Sequence, residues 1–185
     1  MPTLPRSSNL FGRHRLTWFG MLVAMISWDD FAEAEPELAT QVRSRFEAYG
    51  LAIMATIRAD GSPRLSGIEP LFAAGELWLA MMPHGRKSDD LRRDPRLALH
   101  NATTDKAVAH SDVKVSGRVV PVTDPSAVSR FVAAAELATG APPPSGPFDL
   151  WRLELTEVVR ITPDGDHLTI ETWRPGQPCR RIERR

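Results

Sequence analysis

Residues 51–101 read LAIMATIRADGSPRLSGIEPLFAAGELWLAMMPHGRKSDDLRRDPRLALHN. Residues 51–57 are apolar at both alternations, which predicts a strand buried on both faces. Asp60-Gly61 supplies a turn that tolerates positive φ, and Pro63 opens a second strand where its missing N–H does least harm. The two therefore form a hairpin, and the second strand is expected to run over 63–72. Gly75 closes another turn before Leu77, Trp78, Leu79, Met81 and Met82, a third apolar run. Pro83-His84-Gly85 then interrupts the sheet. Ser88 reads as an N-cap with Asp89 and Asp90 in the first helical turn. That helix must stop near Asp94, because Pro95 disfavours helical geometry in the residue before it, and 96–101 returns as a strand.

Arg86 and Lys87 thus stand at a strand-to-helix corner, beside backbone N–H groups with no partner inside the helix. Two fixed cations in that setting suit a phosphate. The same pattern also fits a solvated helix face, in which Arg86, Lys87, Arg92 and Arg93 are balanced by Asp89, Asp90 and Asp94.

Beyond this stretch, 36–50 carries Leu38, Val42 and Phe46 at four-residue spacing behind Pro36, with Gly50 as a stop; it predicts a helix covering one end of the sheet. Residues 113–122 (VKVSGRVVPV) make a fifth strand with Gly117 as a bulge. Asp124-Pro125 starts a helix that turns Val128, Phe131, Val132 and Ala135 inward and ends at Gly140. Residues 148–161 form a long strand with Trp151, Leu153 and Leu155 on one face, and Pro163-Asp164-Gly165 turns it into 167–173. Seven strands with no β-α-β rhythm and no repeat predict an antiparallel barrel.

Composition narrows the chemistry. The 185 residues suit one domain, and Lys+Arg equals Asp+Glu at 23 each, so no general field draws the chain to nucleic acid or an anionic membrane. The lone cysteine, Cys179, forms no internal disulfide and fits a reducing, cytoplasmic setting. The five histidines lack metal-ligand spacing, so no metal is expected. G-x-S-x-G, P-loop, G-x-G-x-x-G and H-E-x-x-H patterns are missing, which leaves hydrolase, nucleotide-triphosphatase and zinc-enzyme readings without support.

The order strand, DG turn, P-R-x-S strand, G-E-L-W-L strand and G-R-K-x-x-D-L-R-R-D-P-R-L-A-L resembles the pyridoxamine 5′-phosphate oxidase-like FMN-binding split β-barrel family, over about 37–185. The resemblance implies a mainly β (α+β) fold, an antiparallel split β-barrel with flanking helices, which dimerises and holds FMN in a groove between subunits. It implies a flavin-dependent oxidoreductase that passes hydride or electrons to or from a small organic substrate, the flavin doing the chemistry and the protein anchoring and orienting it. By the same resemblance Arg64, Ser66, Gly67, Ile68, Glu69, Met81, Arg86 and Lys87 contact the cofactor. Trp173 and Arg184 reach it from the opposite subunit, and Arg180 or Arg181 meets a substrate anion.

Two departures matter. Oxidase members place an Arg where Ser66 aligns, so one phosphate cation is missing; Arg64 shares that strand face and can compensate. The chain also stops at Arg185 without the extension that completes a vitamin B6 phosphate pocket, so pyridoxamine phosphate is not the expected substrate. The missing Arg brings in a deazaflavin-dependent reductase of the same fold as an alternative, and a non-catalytic flavin- or haem-binding protein is a third reading. At the amino terminus, Arg6, Arg13 and Arg15 precede an apolar run over 16–28. Its 13 residues fall short of the roughly 20 that span a membrane, and no cleavage site follows. Residues 1–26 are expected to be an atypical extension, disordered or from a mis-assigned start upstream of Met25, ahead of a single domain at 27–185.

Overall fold

A computed structural model describes residues 26–103, 110–143 and 145–185. The expectation for 1–26 falls outside these, apart from Ile26, which bridges to Leu155. The elements are α1 (Trp28–Ala34), α2 (Pro36–Glu47), β1 (Ala52–Ile57), β2 (Pro63–Ile68), β3 (Pro70–Ala73), β4 (Glu76–Met81), α3 (Arg86–Arg93), β5 (Arg96–Asn101), β6 (Asp112–Pro121), α4 (Pro125–Thr139), β7 (Asp149–Asp164), β8 (His167–Trp173) and β9 (Arg180–Arg184). Among the described residues no helix is long and apolar enough to cross a membrane.

The sheet runs β2-β1-β5-β6-β7-β4-β3, with β8 added to β7 and β9 to β8. Its two ends, β2 and β3, are consecutive in sequence and separated by Glu69 alone. One bent stretch therefore supplies both edges and closes the sheet into a split barrel. The expected single strand over 63–72 is thus two strands with different partners: β2 pairs with β1, and β3 pairs with β4. Pro70 fits this bend, since it carries no N–H for a ladder.

Met54, Leu77, Leu79, Leu99, Val113, Val115, Leu153 and Leu155 fill the interior, and Phe31, Val42 and Phe46 of α1 and α2 cover one end. Helix α4 lies on the other side of β3, β4 and β7, where Phe131 and Ala135 meet Trp78 and Leu150. Asp124 caps it by accepting from the Ala127 N–H, and Gly140 ends it at φ 74°. Gly117 sits at a register shift, where the β6–β7 pairing passes from Ser116↔Glu157 to Gly117↔Leu155. A Cβ there would stand 2.1 Å from the Glu154 carbonyl oxygen, so only glycine fits the bulge.

Three expectations need correction. β1 is buried on one face only: Ala52, Met54 and Thr56 point inward, while Leu51 and Ile53 remain exposed. Helix α3 starts three residues early, with Gly85 at its N-cap and Ser88 inside it, because the Ser88 hydroxyl donates to Asp149 and is not free to cap. The Arg-rich tail is a ninth strand, paired along β8 from Leu168↔Arg184 to Thr172↔Arg180.

Candidate site at the β2–α3 corner

Strand β2 presents Arg64, Ser66 and Ile68 to the interior side, and α3 lies along that side. The Lys87 ammonium donates to the Gly67 carbonyl oxygen at 2.9 Å, fixing the first turn of α3 to the last residues of β2. Burial depresses the Lys87 pKa, and the Glu69 carboxylate works in the opposite direction. Glu69 is itself exposed at the bend. Arg86 is exposed and has no ion-pair partner among the described residues.

One turn on, Asp90 is the centre of a buried cluster. Its side chain is 5% exposed and faces the Arg64 Nε at 2.6 Å and the Arg93 Nη2 at 3.2 Å. The Thr56 hydroxyl donates to the same carboxylate at 3.0 Å. Burial pushes the Asp90 carboxyl up, but hydrogen bonds from Arg64, Thr56 and Arg93 outweigh it and hold the group below the usual carboxylate range. Arg93 also donates to the Ile57 carbonyl oxygen, so this end of α3 is tied to β1 and β2 together.

On its other flank, Arg92 pairs with Asp149 at 2.6 Å and with Asp89 at 2.8 Å. Burial likewise raises the Asp149 carboxyl, and Ser88, Arg92 and His84 together bring it below its ordinary value. His84 itself adopts φ 58° in the turn that leads into α3.

The residues expected to touch a cofactor separate into groups. Lys87 meets Gly67 at one corner, with Ser66, Glu69 and Arg86 as their near neighbours in sequence. Arg64 shares the strand face with Ser66, but its Nε is committed to Asp90. Ile68 and Met81 are buried core side chains, at 5% and 6% exposure. Trp173 is 2% exposed, with its ring centroid 4.6 Å from that of Phe31, so the ring belongs to this chain's own core and is not free to reach another subunit's ligand. Arg180, Arg181 and Arg184 are exposed on β9, which β1, β5, β6, β7 and β8 separate from β2.

Asp90 and Thr56 were missed by sequence reasoning. Asp90 follows Lys87 by three positions and so shares its helix face, which is the signal that was available; the partner Arg64 is distant in sequence and gives none.

On the sheet's outer face, paired residues form continuous rows. One row is Gly67, Ile53, His100, Lys114, Val159, Thr172 and Arg180. Beside it lie Leu65, Ala55, Ala98 and Ser116 on one side and Ile161, Ile170 and Ile182 on the other. Leu65 is 71% exposed and Ile53 43%, so this face is apolar and open at the end where β1 and β2 lie.

The chain matches the pyridoxamine 5′-phosphate oxidase family model over residues 38–162, from α2 to near the end of β7. No curated protein matches it. Among solved structures, a pyridoxamine 5′-phosphate oxidase-related, FMN-binding protein from Nostoc punctiforme aligns with a TM-score of 0.59 at 13% identity, over 82% of this chain and 96% of that one. PhzG from Burkholderia lata, solved with tetrahydrophenazine-1-carboxylic acid, aligns at 0.55 and 16% identity, over 90% of this chain and 100% of its own. A heme-binding protein from Mycobacterium smegmatis aligns at 0.55 and 17% identity over 72% of this chain, which spans 57% of that protein's length. At these identities the likeness is one of fold.

Proposed function

The chain belongs to the pyridoxamine 5′-phosphate oxidase family, and on that premise we propose that it is an oxidoreductase that holds a phosphorylated flavin, FMN or the deazaflavin coenzyme, at the β2–α3 corner. The observation that carries this reading is the pair of cations at the start of α3: Arg86, exposed and unpaired among the described residues, beside Lys87, half-buried against Gly67. The residues fit a phosphate, because the first amides of α3 add their own donors to those two charges.

In this reading Arg86 and Lys87 bind the phosphate, while the Ser66 hydroxyl and the Gly67 backbone border the ligand. The bound flavin supplies hydride or electron transfer. Lys87 has a second role, since its bond to the Gly67 carbonyl sets the distance between α3 and the strand.

The open apolar face of β1 and β2 supports a homodimer, with the ligand groove completed by the second copy. Arg180, Arg181 and Arg184 lie remote from the corner within one chain, so a role at the ligand requires that copy. The substrate is a small organic molecule admitted at the same groove. Ser66, which brings no cation to the phosphate, favours the deazaflavin coenzyme as the second reading.

Titration of the cofactor-free protein with FMN and separately with the deazaflavin coenzyme, followed by fluorescence, tests the proposal, with sedimentation velocity reporting the oligomeric state. Tight binding of either supports it. Binding of neither, or binding of haem in their place, overturns it.

A further inference from the structure

Resting on the reading that this corner holds a flavin phosphate, we infer that Asp149 is a positioning residue for that phosphate, acting through the Ser88 hydroxyl to hold the first turn of α3. The turn has no side-chain cap. Its N-cap is Gly85, which offers no acceptor, and the Ser88 hydroxyl donates to Asp149 Oδ2 at 2.5 Å and does not cap. The first amides are thus left for an anion, and no capping bond keeps them in place.

Bonds from outside the helix do this. Lys87 and Ser88 are consecutive, and each is tied to a different strand: the Lys87 ammonium to the Gly67 carbonyl oxygen of β2, and Ser88 to Asp149 of β7. Strands β2 and β7 are not paired in the sheet, so the turn is braced between two separate supports. The Asp149 backbone pairs with Met81, the last residue of β4, and so stands beside the strand that leads through 82–85 into α3. Its other carboxylate oxygen meets Arg92 Nη2 at 2.6 Å, so one carboxylate grips two successive turns. Ser88 is 0% exposed, and water does not compete for its bond. The consequence for binding is entropic. A phosphate meets Arg86, Lys87 and the first amides already ordered, and association is spared the cost of fixing them.

Fluorescence titration of the full chain with each phosphorylated ligand and its phosphate-free form tests this: FMN against riboflavin, and the deazaflavin coenzyme against its phosphate-free chromophore. Ser88→Ala deletes one oxygen from a buried position, and serves alone where Asp149→Ala fails to fold. In each variant the preference for the phosphorylated form should fall about tenfold, the low end of what one hydrogen bond to a charged group is worth, with affinity for the phosphate-free form unchanged. Both changes break the same bond, so the double variant should lose no more than either alone. Arg92→Ala spares the Ser88 bond and should keep the preference.

An unchanged preference in the folded Ser88→Ala protein overturns the inference while leaving the phosphate anchor standing. Equal losses for both forms of the ligand would make the bond a general support of the fold, and that too overturns it. Additive losses in the double variant, or a loss in Arg92→Ala as large as in Ser88→Ala, would show that Asp149 does not act through Ser88. Equal binding of the phosphorylated and phosphate-free forms to the unaltered protein, or binding of neither phosphorylated ligand, removes the anchor itself and this inference with it.

Discussion

Helix α3 carries Arg86 and Lys87 at its start and Arg92 and Arg93 at its end, and the two ends use the same chemistry for opposite purposes. At the end, each guanidinium meets a carboxylate: Arg92 meets Asp89 and Asp149, and Arg93 meets Asp90. At the start, Arg86 stays exposed and Lys87 meets only a carbonyl and the field of Glu69. The lesson is that cationic composition does not measure anion affinity. A charge faced by a carboxylate fixes architecture, and a charge left open serves a ligand.

The largest effect that would break this contrast is at the open end. Replacing Arg86 and Lys87 together by Ala should weaken FMN binding by about 3–6 kcal/mol, since each charged hydrogen bond is worth roughly 1.5–3 kcal/mol. A fluorescence titration giving the same Kd for the double variant would show that the open cations serve nothing.

The closed end should answer in stability. Asp90→Ala leaves Arg64 and Arg93 without their shared acceptor, and loss of one member of a buried pair costs about 3–5 kcal/mol. The lower figure is expected, because Arg93 keeps access to water at 40% side-chain exposure. Because the Asp90 carboxyl sits below its unfolded value, its contribution is full above the unfolded pKa of about 3.9 and fades as the pH falls below it. Urea midpoints of the two proteins should therefore differ most at pH 7 and draw together as the pH falls below about 3.9; a constant gap would mean that the lost contacts are not ionic.

Gly117→Ala provides a reference outside α3. Its methyl group would meet the Glu154 carbonyl, and overpacking of this kind costs about 1–3 kcal/mol, with flavin affinity at the remote corner expected to hold. The smallest effect belongs to Arg92→Ala. The side chain is 42% exposed, so its ion pairs should contribute under about 1 kcal/mol, and the FMN Kd should not move. A substantial loss of FMN affinity in that variant would erase the distinction between the two ends of the helix.

What the sequence made legible was whatever short-range chemistry determines. The hairpin turn at Asp60-Gly61, the Asp124 cap, the Gly140 stop and the Gly117 bulge each depend on one or two residues, and each appears as expected. The apolar run at 51–57 misled, because its outer face is apolar without being buried in the single chain. The division of 63–72 at Glu69 is set by which strands each half must pair with, and that is a property of the closed sheet. At the site, Arg86-Lys87 could be read as a corner because helix starts are written locally. The capture of Arg64 by Asp90 could not, since the two meet only when α3 lies down on β2. The seven expected strands end at 173; the pairing of the tail with β8 is a hairpin whose turn, 174–179, carries two prolines and a glycine and no two-residue turn signal.

The bend at Glu69 also bears on how the chain gets to this structure. The β1–β2 and β3–β4 hairpins each close over a few residues and can form early. The ladder from Trp78↔Arg152 to Met81↔Asp149 joins β4 to a strand that follows α3, β5, β6 and α4, so its loop entropy must be met before burial rewards it. Until that ladder forms, the two hairpins are tethered at one residue with nothing to hold their far sides apart from other chains. Slow refolding, with losses to association that grow with protein concentration, is the expected kinetic signature of a barrel whose two edge strands meet at a single residue.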